Sequence, residues 1–182
     1  MRTAKYLGMS MLTLAAICWR ANGQEETKKM TTENLIREMS SADGNARATA
    51  TAELFRRGKD VLPDLKMAGA KQVAPFGASV DGTRRLNMVY SVLEGFPPNV
   101  PTALAGYTTN SFGLHVEHGT TEEDIQKFCI KHQCTLVGKF TTEGRPNCYL
   151  QIGPGSSIEA VIQQILSTET KVTTINLNYF DR

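Results

Sequence analysis

Cysteine is scarce in this chain. Of four, only Cys129, Cys134 and Cys148 lie beyond the N-terminal leader, so apolar burial and not a disulfide scaffold has to hold the fold. Their odd number allows at most one intramolecular bridge and leaves one thiol over, and the sequence does not choose among the three pairings. The only tryptophan, Trp19, sits in the leader, and histidine occurs three times. Long apolar runs are also missing. The longest, Met9 to Trp19, has about eleven residues, against the roughly twenty a membrane span needs. Following Arg2 and Lys5 and preceding Ala21-Asn22-Gly23, it reads as the core of a secretory signal peptide over residues 1–23, with Gln24 the first mature residue. Ile17 before Cys18 is too large for a lipid-attachment site.

Excess charge of either sign is absent as well. Taking Arg2, Lys5 and Arg20 from the 20 basic residues leaves 17, against 18 acidic ones, so the mature net charge is −1. That balance argues against nucleic acid as a partner and against membrane insertion after cleavage. Residues 24–32, Gln-Glu-Glu-Thr-Lys-Lys-Met-Thr-Thr, are polar and expected to be disordered.

What is present begins with a repeat. Asp43-Gly44-Asn45-Ala46-Arg47 aligns with Asp81-Gly82-Thr83-Arg84-Arg85 at an offset of 38 residues, and Ala50 and Leu54 then fall on Met88 and Val92. Apolar positions four apart behind a turn-and-cap signal predict a helix with one buried stripe. Further helices are predicted ahead of each unit, at about 33–39 and 61–70, with Leu35, Ile36 and Met39 and then Leu62, Leu65 and Met67 as their apolar positions. With Arg47-x-x-Ala50-x-x-x-Leu54-x-x-x-Gly58 leading to Pro63-x-Leu65, residues 33–96 resemble HEAT-like helical repeats. Two such units are too few to stand alone, so a neighbour must cover one end. Residues 97–110, opening with Pro97-Pro98-Asn99-Val100-Pro101, read as a proline-rich linker between modules that fold largely independently.

Beyond it, Phe112, Leu114 and Val116 alternate with Gly113, His115 and Glu117 as on a half-buried strand. Thr120 with Glu123 and Ser156 with Glu159 are expected to cap two helices, whose inward faces are Ile125, Phe128, Cys129 and His132, and Ile158, Val161, Ile162 and Ile165. Strands are predicted at 134–140, 148–152 and 172–179. The order is βαββαβ, and the fold class is α+β: a helical HEAT-like pair plus a ferredoxin-like domain over 111–182. The second part also resembles the propeptides of subtilisin-family proteases and the free-standing inhibitors of that fold. The matching residues are Gly119-Thr120-Thr121-Glu122-Glu123-Asp124-Ile125, Val137, Gly155-Ser156-Ser157-Ile158-Glu159-Ala160-Val161, and Val172-x-x-Ile175-Asn176-Leu177-Asn178-Tyr179. Leu177 stands where the family has proline, and no protease domain is present in the sequence, so the resemblance implies action in trans. It also implies that the closing segment Asn178, Tyr179, Phe180, Asp181 and Arg182 contacts the partner.

Chemistry-bearing clusters are few. His115-Val116-Glu117-His118 lacks a third histidine or cysteine, whereas a zinc site needs three or four ligands; these read as solvated loop residues. The cysteines lack redox spacing and read as small core residues. Arg47 and Arg85 suggest either a row for an acidic ligand or, in better accord with repeat architecture, pairing with Asp43 and Asp81. Gly153-Pro154-Gly155-Ser156-Ser157 lacks the lysine of a phosphate loop and reads as a strand-to-helix turn. No serine occupies a nucleophile elbow. The sequence therefore points to a secreted or periplasmic protein that is not an enzyme and uses no metal or cofactor. It would work by protein contact, as an inhibitor or chaperone of a subtilisin-like protease or, alternatively, as a structural adaptor of the cell envelope.

Overall fold

The computed structural model describes residues 29–72, 80–95, 107–142 and 145–179. The leader at 1–23, residues 24–28, Phe96, residues 97–106 of the linker, and Phe180, Asp181 and Arg182 lie outside the described residues. The chain combines helices with a four-stranded antiparallel sheet, an α+β architecture. Its helical part is α1 (Thr32–Glu38), α2 (Gly44–Arg57), a 3₁₀ turn (Gly58–Val61), α3 (Leu62–Gln72) and α4 (Val80–Glu94). The part built on the sheet is β1 (Tyr107–Val116), α5 (Glu122–Lys131), β2 (Cys134–Thr142), β3 (Arg145–Ile152), α6 (Ile158–Thr168) and β4 (Val172–Tyr179).

Local signals explain most boundaries. Thr31 caps α1 by accepting from the Asn34 amide, and Asp43 caps α2 by accepting from Asn45. Gly58, at φ +65°, ends α2 in a conformation other residues avoid. The chain is already fixed at Met30 and Thr32, where Arg57 donates to the Met30 carbonyl at 2.7 Å and to the Thr32 hydroxyl at 3.3 Å, although sequence composition suggests disorder there. The later caps sit one residue beyond the expected ones. Thr121 and Asp124, not Thr120 and Glu123, form the capping box of α5, and Ser157 caps α6. The Thr120 hydroxyl instead turns back to donate to the Glu117 carbonyl. Asp81 is not a cap, because α4 begins at Val80 and Asp81 lies within its first turn.

The strands run in the order β2-β3-β1-β4. Registers Phe112↔Leu150, Leu114↔Cys148, Leu114↔Ile175 and Phe112↔Leu177 put these side chains on one face. All are buried, as are Ile125 and Phe128 of α5 and Ile158, Ile162, Ile165 and Leu166 of α6, which pack with them. β1 starts at Tyr107, five residues before the alternating pattern, because pairing with β4 extends to Tyr107↔Tyr179; residues 107–110 thus belong to the sheet and not to a linker.

Independent folding of two modules is not what the packing supports. Leu35, Met39, Leu54, Leu65, Leu86 and Val89 of the helical part belong to the same continuous core as the sheet's inner face. α2 lies against α6 and α4 against β4, so the helices pack directly on the sheet-bearing part.

Candidate functional site

The repeat arginines sit at the contact between the two parts. Arg47 is 7% exposed and Arg85 fully buried. Arg47 donates to the carbonyls of Ser41 and Ala42 (both 2.9 Å) and Thr170 (2.8 Å) and pairs with Glu117. Arg85 donates to the carbonyls of Leu166 (2.6 Å), Val172 (3.0 Å) and Thr173 (3.2 Å) and to the Thr51 hydroxyl (3.2 Å). Thr51 links the two, because its hydroxyl donates in turn to the Arg47 carbonyl at 2.7 Å. Pairing with Asp43 and Asp81 is therefore not their role. Asp43 caps its own helix, and Asp81 pairs with Arg145 of β3 at 2.6 Å. The carbonyls of the α6 terminus and the start of β4 converge on Arg85 and draw it inward, with the negative end of the α6 dipole opposing its charge. Burial, and then the neighbouring Arg47, pull its pKa down to about 9. Buried and turned inward in this way, neither arginine presents a row to an acidic ligand.

Gly44 is needed for the same contact. A Cβ there would lie 2.1 Å from the Thr170 carbonyl oxygen, so only glycine lets the start of α2 approach the α6–β4 turn. Asp-Gly-x-x-Arg thus contributes a cap, a close approach and an anchor in its first copy. In the second it contributes an ion pair across to the sheet and an anchor.

The turn from α6 to β4 gathers contacts from every side. Glu169 accepts from His132 Nε2 (2.7 Å) and Lys131 (2.6 Å) at the end of α5. Lys171 donates to Asp124 (2.8 Å) at the start of α5, and its carbonyl accepts from the Glu117 amide. Burial raises the Glu169 carboxyl, but the bonds from His132 and Lys131 outweigh it and hold the pKa at about 2. The Lys171 ammonium, with the Thr121 amide and hydroxyl, holds Asp124 well below the usual carboxylate range. Between α5 and this turn lies a groove of about 250 Å³, floored by Leu114, Val116, Ile125 and Phe128. No sequence pattern marks Glu169-Thr170-Lys171, an ordinary polar loop whose importance comes only from what surrounds it.

The His115–His118 segment is not one site. His115 meets Asn176 Nδ2 through Nε2 at 2.8 Å and packs edge-on against Phe140, and burial, then Arg84, lower its pKa. Glu117, expected to be solvated, is the carboxylate partner of Arg47, and only His118 is exposed. Cys129, Cys134 and Cys148 are free thiols, half-buried or buried. Burial pushes Cys134 up to about 11 and Cys148 to about 12, far from the range of a reactive thiolate. Among the described residues no group of three histidine, cysteine or acidic side chains is arranged to hold a metal.

The sheet face away from α5 and α6 carries different chemistry. Registers Gly113↔Tyr149, Gly113↔Asn176, His115↔Asn147 and Phe140↔Asn147 set these residues side by side. At the end nearest α4, Asn147 and Thr174 are buried and the Asp81–Arg145 pair closes over them. Towards the other end several described side chains of the face are exposed. Tyr149, 40% exposed, stacks on Phe140 with centroids 4.6 Å apart, its ring resting over Gly138, where a Cβ would touch it at 3.4 Å. Gln151, Thr135 and Val137, the extra residue of a bulge in β2, are exposed beside it. Asn178 and Tyr179 close β4, the described end of the segment the propeptide resemblance implicates. Comparison of the chain with protein-family models, with curated proteins and with solved structures finds no match.

Proposed function

We propose that this chain is an exported or periplasmic, non-enzymatic protein-binding module, in which two HEAT-like units back a ferredoxin-like domain. We further propose that it acts on a subtilisin-like protease as inhibitor or chaperone. The element order βαββαβ with strands β2-β3-β1-β4 supports the ferredoxin-like reading of the second half. The observation that carries the binding reading is the outer sheet face, where Thr135, Val137, Tyr149 and Gln151 are exposed and none of them is charged. Depletion of charge with enrichment of aromatics marks the centre of a protein interface. The rows of buried arginines, by contrast, are engaged within the molecule. Residual peptidase activity of several subtilisin-like proteases, titrated with the purified protein, tests the proposal. Inhibition should weaken on Tyr149→Ser and be lost when Asn178 to Arg182 are deleted. Digestion of the protein with no slowing of the proteases would remove the inhibitor reading in favour of an envelope adaptor, to be sought by co-purification.

A further inference from the structure

The groove between α5 and the α6–β4 turn joins an apolar floor to a basic rim. It exists because the two helices lean apart: α5 packs on β2, whereas α6 packs on β4 and β1, so Leu114 and Val116 of β1 lie under the gap. With Ile125 and Phe128 of α5 and Val172 of β4 they make the floor. The groove measures about 250 Å³. A cavity of about 150 Å³ takes benzene, so this one has room for a ring bearing a few more carbons or for a chain of about eight.

The charges of the rim do not cancel. Lys127, Lys131 and Lys171 border the groove with Asp124 and Glu169, three ammonium groups to two carboxylates, which leaves one positive charge in excess. Both carboxylates are committed within the chain, Glu169 to Lys131 and His132, and Asp124 to Lys171 and to the Thr121 amide and hydroxyl. An ammonium group carries three donors, and Lys131 and Lys171 each spend one on these acids. The partner of Lys127 is Glu123, which stands outside the groove; both are largely exposed, where such a pair contributes little. The unspent donors call for an anionic head rich in acceptors, and the floor for an apolar body attached to it. A neutral hydrocarbon meets only the second demand, and a small inorganic anion only the first.

We propose that this groove binds a small carboxylic acid with an apolar body of about eight carbons, sized by the cavity. Lys127 and Lys131 hold its carboxylate at the rim, and Val116, Ile125 and Phe128 receive its body. The site is separate from the outer sheet face and stands or falls apart from the protease reading.

Titration of the isotope-labelled protein with octanoate, followed by amide chemical shifts, tests this. Octanol serves as the body without the charge, and acetate as the charge without the body. With about ten non-hydrogen atoms, octanoate should bind saturably at millimolar concentration or below, moving amides of α5, of residues 169–172 and of Leu114 and Val116. Octanol should bind at least about tenfold more weakly, and acetate should give no saturable shift. Lys127→Gln and Lys131→Gln should each raise the dissociation constant about threefold, and about tenfold together. Because Lys127 pairs only with the exposed Glu123 among the described residues, its replacement reads the site with the fold intact. Lys66→Gln on α3, an exposed lysine away from the groove, should change nothing. Absence of saturable shifts in the groove overturns the proposal, as do octanol binding as tightly as octanoate and an affinity indifferent to Lys127→Gln and Lys131→Gln. Shifts confined to the outer sheet face would place the octanoate there and overturn it too.

Discussion

The junction between the helices and the sheet-bearing part, and the sheet's outer face, invert what side-chain chemistry suggests. Two guanidinium groups lie in the interior, while a stacked aromatic pair stands at the surface. The junction tolerates its arginines because backbone carbonyls of a helix end, a turn and a strand start converge there and accept from them. The outer face has no such convergence, and its aromatic rings lean on one another over a glycine. Holding and contacting are therefore separated in space, and substitutions should sort by region, with large losses of stability at the junction and small ones on the face.

The largest effect is expected from Arg85→Met, which leaves the Leu166, Val172 and Thr173 carbonyls buried without this donor. A loss of about 3 kcal/mol or more follows if each orphaned group costs about 1–3 kcal/mol. Denaturant unfolding followed by probes in both parts should show them still melting together; separate transitions would break the picture of one core. Gly44→Ala comes next, because the new methyl group must displace the Thr170 carbonyl or push α2 away, a strain of about 1–3 kcal/mol. Gly69→Ala in α3 is its control. There a Cβ would make ordinary contact with Leu86 at 3.4 Å, and removing a mid-helix glycine should stabilise by about 0.5–1 kcal/mol.

Acid sharpens the comparison further. The Glu169 carboxyl has a pKa lowered from 4.5 to about 2 in the folded chain. Its contribution is therefore fully present above the unfolded value and disappears as the pH falls from about 4.5 through about 2. Glu169→Gln should flatten that acid limb in a plot of unfolding midpoint against pH; an unchanged limb would assign it to other carboxylates. The smallest effect belongs to the face, where Tyr149→Ser should move stability by no more than about 0.5–1 kcal/mol while altering association.

Period-two and period-four patterns made much of this architecture readable. Alternation from Phe112 to Val116 identified the buried face of β1, and Ile158, Val161, Ile162 and Ile165 the buried face of α6. The Asp-Gly-x-x-Arg repeat was visible as well, but not its use, because the partners of Arg47 and Arg85 are backbone carbonyls that no sequence pattern displays or, as with Glu117 and Thr51, side chains 70 and 34 residues away along the chain. Cap positions slipped by one because Thr120-Thr121 and Ser156-Ser157 each offer two adjacent hydroxyls. Within the candidate contact face, nothing in the sequence marks Tyr149: alternation gives its strand, but the stacking on Phe140 depends on the register between β2 and β3. Glu169 is not legible either, because a lone acid after a helix has no distinguishing neighbour in sequence.

The bulge at Val137–Gly138 has a further consequence when set beside α4. A sheet with straight, bare margins is a template on which other chains add strands without limit. Here α4 lies against the β4 side, and on the opposite side β2 carries an extra residue that throws its pairing out of step. Growth by strand addition is thus discouraged in both directions, so the sheet is guarded against propagating into fibres along its margins.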